Sequence, residues 1–383
     1  MKIALVIDNF SPAKGGGEGY AAHFARELAQ HGHEVHIFTY AWDTSLTPLP
    51  LTFHRVPTFK GLELFRVLSF GYYCQKMLRE HSFDIIQGFG KSCWRMDVYR
   101  PGGGVHRAYL QQNLLSLENP YYRYYRRILR AASLKDLVFL AIERYQYRQE
   151  SIKRIIVNSG LVKSHVEGFY RCPAERIRVV FNGVDLERFH PIPKQRPEVA
   201  QRKEVVLLFV ANNFRLKGLP CLIKALGTLA KARPTLNFKL LIAGRGKKEL
   251  YLKQARRAGC VDKMLFLGQV EDMPQLYHSA DILIHPTFYD PSANVCWEAA
   301  ASGLPIITTI YNGFSELMAD GLEDYILPDP RDINRFKDTI CSLLEPAVRK
   351  VVSEKVRALA EKYPFEYNYQ KVIQIYQEVL QIS

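Results

Sequence analysis

Paired cysteines are lacking in this sequence. Its seven cysteines, at positions 74, 93, 172, 221, 260, 296 and 341, are odd in number and form no Cys-x-x-Cys pair. Disulfide frameworks and thiolate zinc sites normally need paired or regularly spaced cysteines. We therefore expect free, buried thiols in a protein of a reducing compartment, the cytoplasm.

Long apolar runs are lacking as well. No segment has the roughly 18 uninterrupted apolar residues that a membrane-spanning helix requires. The N-terminal stretch Met1–Asp8 is apolar but short, Asp8 interrupts it, and no Ala-x-Ala-like cleavage site follows. We expect this stretch to form a first buried strand and not a signal peptide.

Motifs for metal ions and for one common phosphate loop are also missing. There is no Asp-x-Asp and no His/Cys cluster, so we expect neither a metal nor another resident cofactor. The glycine-rich segment Ser11–Gly19 does not close with Gly-Lys-Ser/Thr, which excludes a Walker A loop. Its Gly-x-Gly-x-x-Gly spacing is imperfect, because Tyr20 stands where the third glycine would fall.

The apolar residues that are present form short runs that alternate with helix-like stretches. Alternating β and α units predict parallel sheets with helices on both faces. A restart of the pattern after residue 200, in a chain of 383 residues, predicts two such domains. Turn residues and prolines in Asn182–Pro193 indicate the boundary. The predicted strands are Ile3–Ile7, Glu34–Tyr40, Asp84–Gly88, Arg154–Asn158, Ile177–Phe181, Val205–Val210, Phe238–Ala243, Lys263–Leu267, Ile282–His285 and Pro305–Thr308, and the predicted helices are Tyr20–His31, Leu219–Ala232, Asn294–Ala301 and Tyr367–Ile382.

Basic residues are in excess, and the excess is concentrated in one stretch. The net charge of the chain is +14, and Arg100–Arg171 alone has 13 Lys and Arg against 5 Asp and Glu, a net charge of +8. Tyrosines are interleaved, most densely in Tyr121–Arg127. Such a surface favours an anionic partner: a phosphorylated acceptor, anionic lipid head groups or nucleic acid. A solvated helix face is the alternative.

Two loops have the character of phosphate-binding segments. The glycines of Ser11–Gly19 let a ligand approach the backbone, and the following helix points its free N–H groups at this loop. The second loop places Arg215 and Lys217 between a buried strand and a helix, where cations would neutralise a departing diphosphate. The alternatives are a flexible surface turn and two solvated cations.

A third segment combines a strand end, a loop of small residues and a helix that begins near Asn294. The first N–H groups of that helix can hold a phosphate. Glu298 lies about one turn further on, where its carboxylate can accept hydrogen bonds from ribose hydroxyls. Asp290, on the loop, can reach the hydroxyls of a sugar. Either acid alone would be interpreted as surface charge.

These segments together resemble a known family. The spacing Asp290-x7-Glu298, with the segment 299–309 after it, is similar to the E-x7-E signature of the retaining family 4 glycosyltransferases of GT-B fold. Four more segments resemble landmarks of that family in the family's order, namely Phe181–Asp185, Phe214–Gly218, Leu241–Gly244 and Phe266–Gly268. The resemblance covers roughly residues 1–330. Within the family, Gln87–Lys91 and Met96–Tyr99 are similar to lipopolysaccharide core enzymes that glucosylate inner-core heptose.

The resemblance implies two Rossmann-like domains with parallel sheets that face each other across a cleft. Residues 1–185 would bind the acceptor, with the C-terminal helix 367–383 completing this domain. Residues 186–366 would bind the nucleotide-sugar. The implied reaction is retaining transfer of a hexose, glucose from UDP-glucose, onto a lipopolysaccharide core oligosaccharide. The enzyme would work in the cytoplasm, peripherally attached to the anionic inner face of the membrane, and would not bind nucleic acid.

The resemblance also implies roles for individual residues. Arg215 and Lys217 would hold the diphosphate, Asp290 would contact the sugar hydroxyls, and His106 matches the family's histidine near the transferred sugar. The implied donor-binding residues are Gly16, Gly17, Asn294, Val295 and Glu298.

Two positions depart from the family pattern. Asp290 stands where the family usually has glutamate, which shortens its reach by one methylene group. Tyr20 stands where the heptose-glucosylating enzymes have an aspartate near the acceptor. Two other functions stay open: action on a different cell-surface glycan or glycolipid, and sugar-nucleotide binding without catalysis.

Overall fold

The computed structural model describes residues 1–11, 16–43, 50–91, 93–192 and 204–382. Within them the chain forms two compact units. The first comprises Met1–Leu114, Asn119–Asn182 and Glu366–Ser383, and the second comprises Leu115–Glu118 and Gly183–Phe365. Pro193, at the end of the predicted boundary segment, lies outside the described residues.

The first unit is built on a seven-stranded sheet in the order β5-β3-β1-β6-β7-β8-β9. All neighbouring strands are parallel. Ile3, Ala4, Leu5 and Val6 in the centre are completely buried, which explains why this strand is apolar throughout and does not alternate. A separate parallel pair joins β2 to β4. The strands are β1 (Lys2–Val6), β2 (Asn9–Phe10), β3 (Glu34–Thr39), β4 (Ala41–Trp42), β5 (Leu51–Arg55), β6 (Ile85–Phe89), β7 (Val98–Arg100), β8 (Arg154–Val157) and β9 (Ile177–Val179).

Six helices accompany these strands in the described part of the first unit. The first buries Tyr20, Phe24 and Leu28 on one face, at helical spacing. The helices are α1 (Gly16–Gln30), α2 (Glu63–Arg79), α3 (His106–Leu115), α4 (Pro120–Ala131), α5 (Leu134–Arg148) and α6 (Gly160–Tyr170).

The second unit contains a six-stranded parallel sheet in the order β12-β11-β10-β13-β14-β15. This order places β13 directly beside β10, so the loops that follow these two strands emerge at the same edge of the sheet. The strands are β10 (Val205–Val210), β11 (Phe238–Ala243), β12 (Met264–Gly268), β13 (Ile282–Ile284), β14 (Ile306–Thr309) and β15 (Ile326–Leu327). The helices are α7 (Leu219–Ala232), α8 (Lys248–Ala258), α9 (Met273–His278), α10 (Asn294–Ala301), α11 (Ile333–Ser342) and α12 (Pro346–Glu361).

The last helix, α13 (Phe365–Ile382), returns to the first unit. Tyr376 donates a hydrogen bond of 2.7 Å from its hydroxyl to Gln87 Oε1, inside the core. Glu378 accepts hydrogen bonds from Arg154 and Arg178, each at 3.1 Å. Buried and surface contacts of this kind attach the C-terminal helix to the sheet of the first unit.

The cysteines are as the sequence predicts. All seven thiols are free, six of them are buried, and Cys341 is half-buried. Among the helices of the described residues, none has the length and apolar character needed to cross a bilayer.

Candidate functional site

The loop between β10 and α7 carries the predicted cation pair. It is folded into turns in which the Lys217 N–H donates to the Asn213 carbonyl at 2.9 Å. Gly218 ends the loop with a positive φ of 83°. A side chain there would place its Cβ 2.0 Å from the carbonyl oxygen of Pro286, so only glycine allows this close approach. The Phe288 N–H also donates to Leu216 O at 2.8 Å, which joins this loop to the one after β13.

This close approach places Lys217 against Asp290. Lys217 Nζ lies 2.6 Å from Asp290 Oδ2 and donates to the Tyr289 carbonyl at 2.9 Å. His285 Nε2 lies 3.1 Å from the same carboxylate oxygen. His285 ends the strand that was predicted from sequence, but its role beside Asp290 was not predicted. The three side chains form a cluster in which His285 is buried and Lys217 and Asp290 are partly buried, and which we call the Lys217–Asp290–His285 cluster.

The charges in this cluster follow from its contacts. Burial alone would raise the pKa of Asp290, but Lys217 and His285 outweigh burial and hold this pKa below its ordinary value. Burial lowers the pKa of His285, which is therefore neutral at pH 7. An ammonium has three donors, and Lys217 uses two of them within residues 1–11, 16–43, 50–91, 93–192 and 204–382, which leaves one N–H for a ligand. The second carboxylate oxygen, Asp290 Oδ1, accepts no hydrogen bond from the described residues.

The loop that carries Asp290 is held by Asn312, a residue that the sequence did not single out. Asn312 is completely buried, and its Oδ1 accepts the Ala293 N–H at 3.1 Å. The Asp290 N–H donates to Tyr311 O, and Asp290 O accepts the Gly313 N–H, both at 2.9 Å. These bonds fix the backbone on both sides of Asp290 and lead directly into α10.

Helix α10 begins at Asn294, as predicted. The N–H of Val295, the next residue, has no acceptor in the part of the chain that the structure describes. Glu298 lies one turn later, and its Oε2 accepts a hydrogen bond of 2.7 Å from the Tyr277 hydroxyl. Burial raises the pKa of Glu298 to about 7, against the lowering effects of Tyr277 and Arg188. The helix thus combines a free N–H donor with a carboxylate that titrates near neutrality.

The side chain of Arg215 is held by a different residue from the one that holds Lys217. Its Nη1 donates to Ser116 Oγ at 2.9 Å, within the second unit. The two cations of the predicted pair therefore have separate anchors, because Lys217 is bound by Asp290 and Arg215 by a serine.

Three of the predicted residues lie in the first unit. Gly16 and Gly17 open α1, whereas Pro12–Gly15 of the predicted loop lie outside the described residues. Gly102 faces Gly17, since a Cβ placed on Gly102 would lie 4.0 Å from Gly17 Cα. Two glycine segments are thus neighbours at the start of α1.

His106 opens α3 and lies in a largely basic environment. Its Nδ1 is 3.2 Å from Lys91 Nζ. Burial, together with the nearby cations Lys91, Arg130 and Lys135, lowers its pKa to about 3. The imidazole is therefore neutral at pH 7.

Tyr20 is a core residue. It is 7% exposed, its hydroxyl donates to Asn368 Oδ1 at 2.7 Å, and the Arg100 guanidinium lies 4.0 Å from its ring centroid. The Tyr20 side chain thus packs against α13.

Six of the predicted site residues lie in the second unit and three in the first. Within the second unit, β10 and β13 bring Lys217 to Asp290 directly. Three supporting residues were not predicted: His285, Tyr277 and Asn312. His285 could have been suspected from its place at a strand end. Tyr277 and Asn312 carry no such signal, because their partners are distant in sequence.

Comparison with known proteins gives the class and then the family. A model described as Glycosyltransferase Family 4 matches residues 14–188, and one described as Glycosyl transferases group 1 matches residues 204–346. The protein is therefore a glycosyltransferase, and it belongs to family 4.

Individual proteins agree with this assignment. The chain is 23% identical over 371 residues to lipopolysaccharide glucosyltransferase WaaG of Escherichia coli, covering 94% of each chain. The crystal structure of a WaaG superposes with a TM-score of 0.81 at 22% identity, over 97% of this chain and 99% of that chain. HepE of Anabaena, solved in complex with UDP-glucose, superposes with a TM-score of 0.72 at 18% identity, over 99% and 100% of the two chains. The predicted GT-B fold is confirmed.

Proposed function

We propose that this glycosyltransferase transfers glucose from UDP-glucose, with retention of configuration, onto a lipopolysaccharide core oligosaccharide. The observation that carries the proposal is the arrangement around α10. A free N–H at Val295 and a donor on Lys217 suit a diphosphate, and Glu298 suits a ribose. The name of WaaG and the UDP-glucose complex of HepE support the choice of acceptor and donor.

The chemistry needs no enzyme nucleophile. In the step we propose, the bond between the glucose anomeric carbon and the diphosphate breaks on the face where the acceptor hydroxyl attacks. The new glycosidic bond forms there, and the acceptor proton passes to the departing phosphate oxygen. Lys217 and Arg215 stabilise the charge that develops on the diphosphate. Asp290 Oδ1 accepts a hydrogen bond from a hydroxyl of the sugar and orients the ring.

A donor screen tests the proposal. Purified protein is incubated with UDP-glucose, UDP-galactose, UDP-N-acetylglucosamine or GDP-mannose, with and without core oligosaccharide, and free nucleotide is measured. We expect acceptor-dependent release of UDP from UDP-glucose and an α-glucoside by proton NMR. Release with another donor or acceptor would favour the broader glycan or glycolipid function. Tight UDP binding without transfer to any acceptor would favour a non-catalytic binding protein.

We further propose that α4 attaches the enzyme to an anionic membrane surface. None of its residues is buried, and Tyr121 and Tyr124 are 86% and 67% exposed. The helix also carries Arg123, Arg126 and Arg127. Exposed aromatic rings next to cations suit the boundary between lipid head groups and acyl chains. Leu134 and Leu137 of α5 add further exposed apolar surface.

Neutralising α4 should weaken membrane binding. The variant Arg123→Gln/Arg126→Gln/Arg127→Gln is expected to lower the partition coefficient onto phosphatidylglycerol vesicles by one to two orders of magnitude, since each cation contributes up to about 1 kcal/mol. Sedimentation of the protein with vesicles at fixed salt measures this. The matched control Lys231→Gln/Arg256→Gln/Arg257→Gln removes the same charge from exposed helix positions of the second unit. An equal loss in both variants, or tighter binding of single-stranded RNA than of vesicles, would contradict the assignment.

A further inference from the structure

The start of α3 is held by a buried carboxylate. Glu143 of α5 is 2% exposed, and its Oε1 accepts the His106 N–H at 2.5 Å. Its Oε2 accepts the Arg107 N–H at 3.2 Å and also the hydroxyl of Tyr170. The first N–H groups of a helix have no partner within the helix, so these bonds determine where α3 begins. A negative charge at a helix N-terminus is also favoured by the helix dipole.

The imidazole of His106, like its backbone N–H, is held by neighbouring side chains. The Lys91 ammonium can only donate, so His106 Nδ1, 3.2 Å away, must accept, and the proton of the neutral ring must reside on Nε2. The Lys91 ammonium itself lies 4.3 Å from the centroid of the Phe139 ring. Phe139 also packs edge-on against the imidazole, with centroids 5.7 Å apart.

His106 is attached to a glycine segment that reaches α1. Gly102, Gly103 and Gly104 immediately precede Val105 and His106, and Gly102 faces Gly17, whose Cα would lie 4.0 Å from a Cβ placed on Gly102. The glycines have no side chains through which they could be fixed. The first anchored side chains after them are Val105, which is completely buried, and His106. The segment is folded into a turn by two backbone bonds of 2.9 Å, from the Gly102 N–H to Arg100 O and from the Gly104 N–H to Pro101 O. His106 fixes the end at which this turn leads into α3.

We propose that Lys91 and Glu143 are positioning residues that hold His106 and, through it, the Gly102–Gly104 segment against the first turn of α1. The proposal rests on the proposed function, because the glycines of α1 and His106 are the part of the first unit expected to contact the donor. Lys91 acts on the imidazole and Glu143 acts on the backbone. Neither residue has to touch the substrate.

An acid–base role for the imidazole fits the contacts less well. Nε2 is buried and has no hydrogen-bond partner among the described residues. The carboxylate oxygen Asp136 Oδ1 lies 3.9 Å from Nε2, too far for a hydrogen bond. The cations around the ring are Lys91, Arg130 and Lys135. Two carboxylates are also close: Glu143 accepts the His106 backbone N–H, and Asp136 lies beside Nε2. Three cations and a covered nitrogen suit a neutral anchor and not a group that exchanges protons.

The test compares Lys91→Met with Lys91→Arg, which keeps a donor. Lys76→Met, at an exposed position of α2, is the matched control. We expect Lys91→Met to lower kcat by about 10- to 100-fold, with KM for the donor changed less than about threefold, because the glycine segment loses its alignment. The decrease in log kcat in Lys91→Arg should be at most two thirds of the decrease in Lys91→Met. Glu143→Gln should lower kcat similarly, because its amide group cannot accept the second N–H.

Nitrogen NMR of histidine-labelled full-length protein supplies the second measurement, with His106→Gln to identify the resonance. In the wild-type protein, Nδ1 of His106 should be unprotonated and Nε2 protonated at pH 7. Lys91→Met should give a mixture of tautomers, whereas Lys76→Met should not. An unchanged tautomer in Lys91→Met overturns the proposal, even if no transfer is detected with any donor. An altered tautomer with unchanged kcat in an active enzyme overturns it as well.

Discussion

Replacing Lys217 by alanine is expected to lower turnover by at least two to three orders of magnitude. Lys217 is the cation of the Lys217–Asp290–His285 cluster, and its free N–H is the donor we assign to the departing diphosphate. A single donor that meets developing charge in the transition state contributes about 3 to 4 kcal/mol. The steady-state rate of UDP release with UDP-glucose and acceptor measures this loss.

The same substitution leaves Asp290 buried without its main counter-charge. Removing one partner of a buried ion pair costs about 3 to 5 kcal/mol of folding stability, so turnover alone would not separate chemistry from unfolding. The double variant Lys217→Ala/Asp290→Asn removes both charges. It should recover thermal stability, measured by the unfolding midpoint, but should not recover turnover.

Two controls complete this experiment. Lys231→Ala, an exposed lysine at the end of α7, should keep wild-type turnover, and a chelator should not affect the wild-type enzyme. If Lys217→Ala keeps more than a tenth of the turnover, the lysine does not stabilise the leaving group. If turnover is lost to the chelator, a metal ion performs that task.

The sheets could be predicted well because their strands are buried on both faces. Val205–Val210, Phe238–Ala243 and the helices 219–232 and 294–301 have the predicted bounds. The strand β5, which lies at the edge and is only partly buried, was missed. The strands β2, β4, β7 and β15, which have only two or three residues each, were missed too. The helices α2–α6, α8, α9, α11 and α12 were missed as well. Exposed aromatic and basic residues on α4 weaken the apolar periodicity by which a helix is recognised.

The candidate site could be predicted in part. Lys217 and Asp290 follow strand ends, where ligand-binding residues of parallel sheets collect, so local sequence reveals them. Their contact does not follow from local sequence. It depends on β13 lying beside β10 and on Gly218 allowing one loop to pass close to the other. Tyr277 and Asn312 were missed for this reason, since their partners Glu298 and Ala293 are distant in sequence. His285 is close to Asp290 in sequence, and its place at a strand end was the signal that could have revealed it.

The second large effect concerns Glu298 and pH. The pKa of this carboxyl is about 7 without ligand, mainly because burial disfavours the charged form. Accepting hydrogen bonds from both ribose hydroxyls requires the ionised form. Binding of UDP-glucose should therefore be strongest above pH 8 and should weaken about tenfold between pH 8 and pH 6. UDP-glucose suits this measurement, because its diphosphate has no group that titrates in this range.

Glu298→Gln should remove this dependence. The amide does not titrate, so the affinity for UDP-glucose should be independent of pH between 6 and 8, and weaker than that of the wild-type protein at pH 8 by about 10- to 100-fold. Calorimetry in two buffers of different ionisation enthalpy should detect proton release on binding at pH 6 for the wild-type protein and none for Glu298→Gln. Tyr277→Phe removes a bond that lowers the pKa of Glu298, so it should move the midpoint to higher pH.

The stability of the ligand-free protein should change in the opposite direction. The pKa of Glu298 in the folded protein lies above its ordinary value of 4.5. The folded state therefore holds this proton more tightly, and its contribution is complete below pH 4.5 and is lost as the pH rises through 7. The loss amounts to about 3 kcal/mol at 1.36 kcal/mol per pKa unit. Glu298→Gln should not show this loss when the free energy of unfolding is measured by chemical denaturation at pH 5 and at pH 8. If wild-type and variant instead lose the same stability between these pH values, Glu298 is already ionised in the free protein, and the pH dependence of donor binding must come from another group.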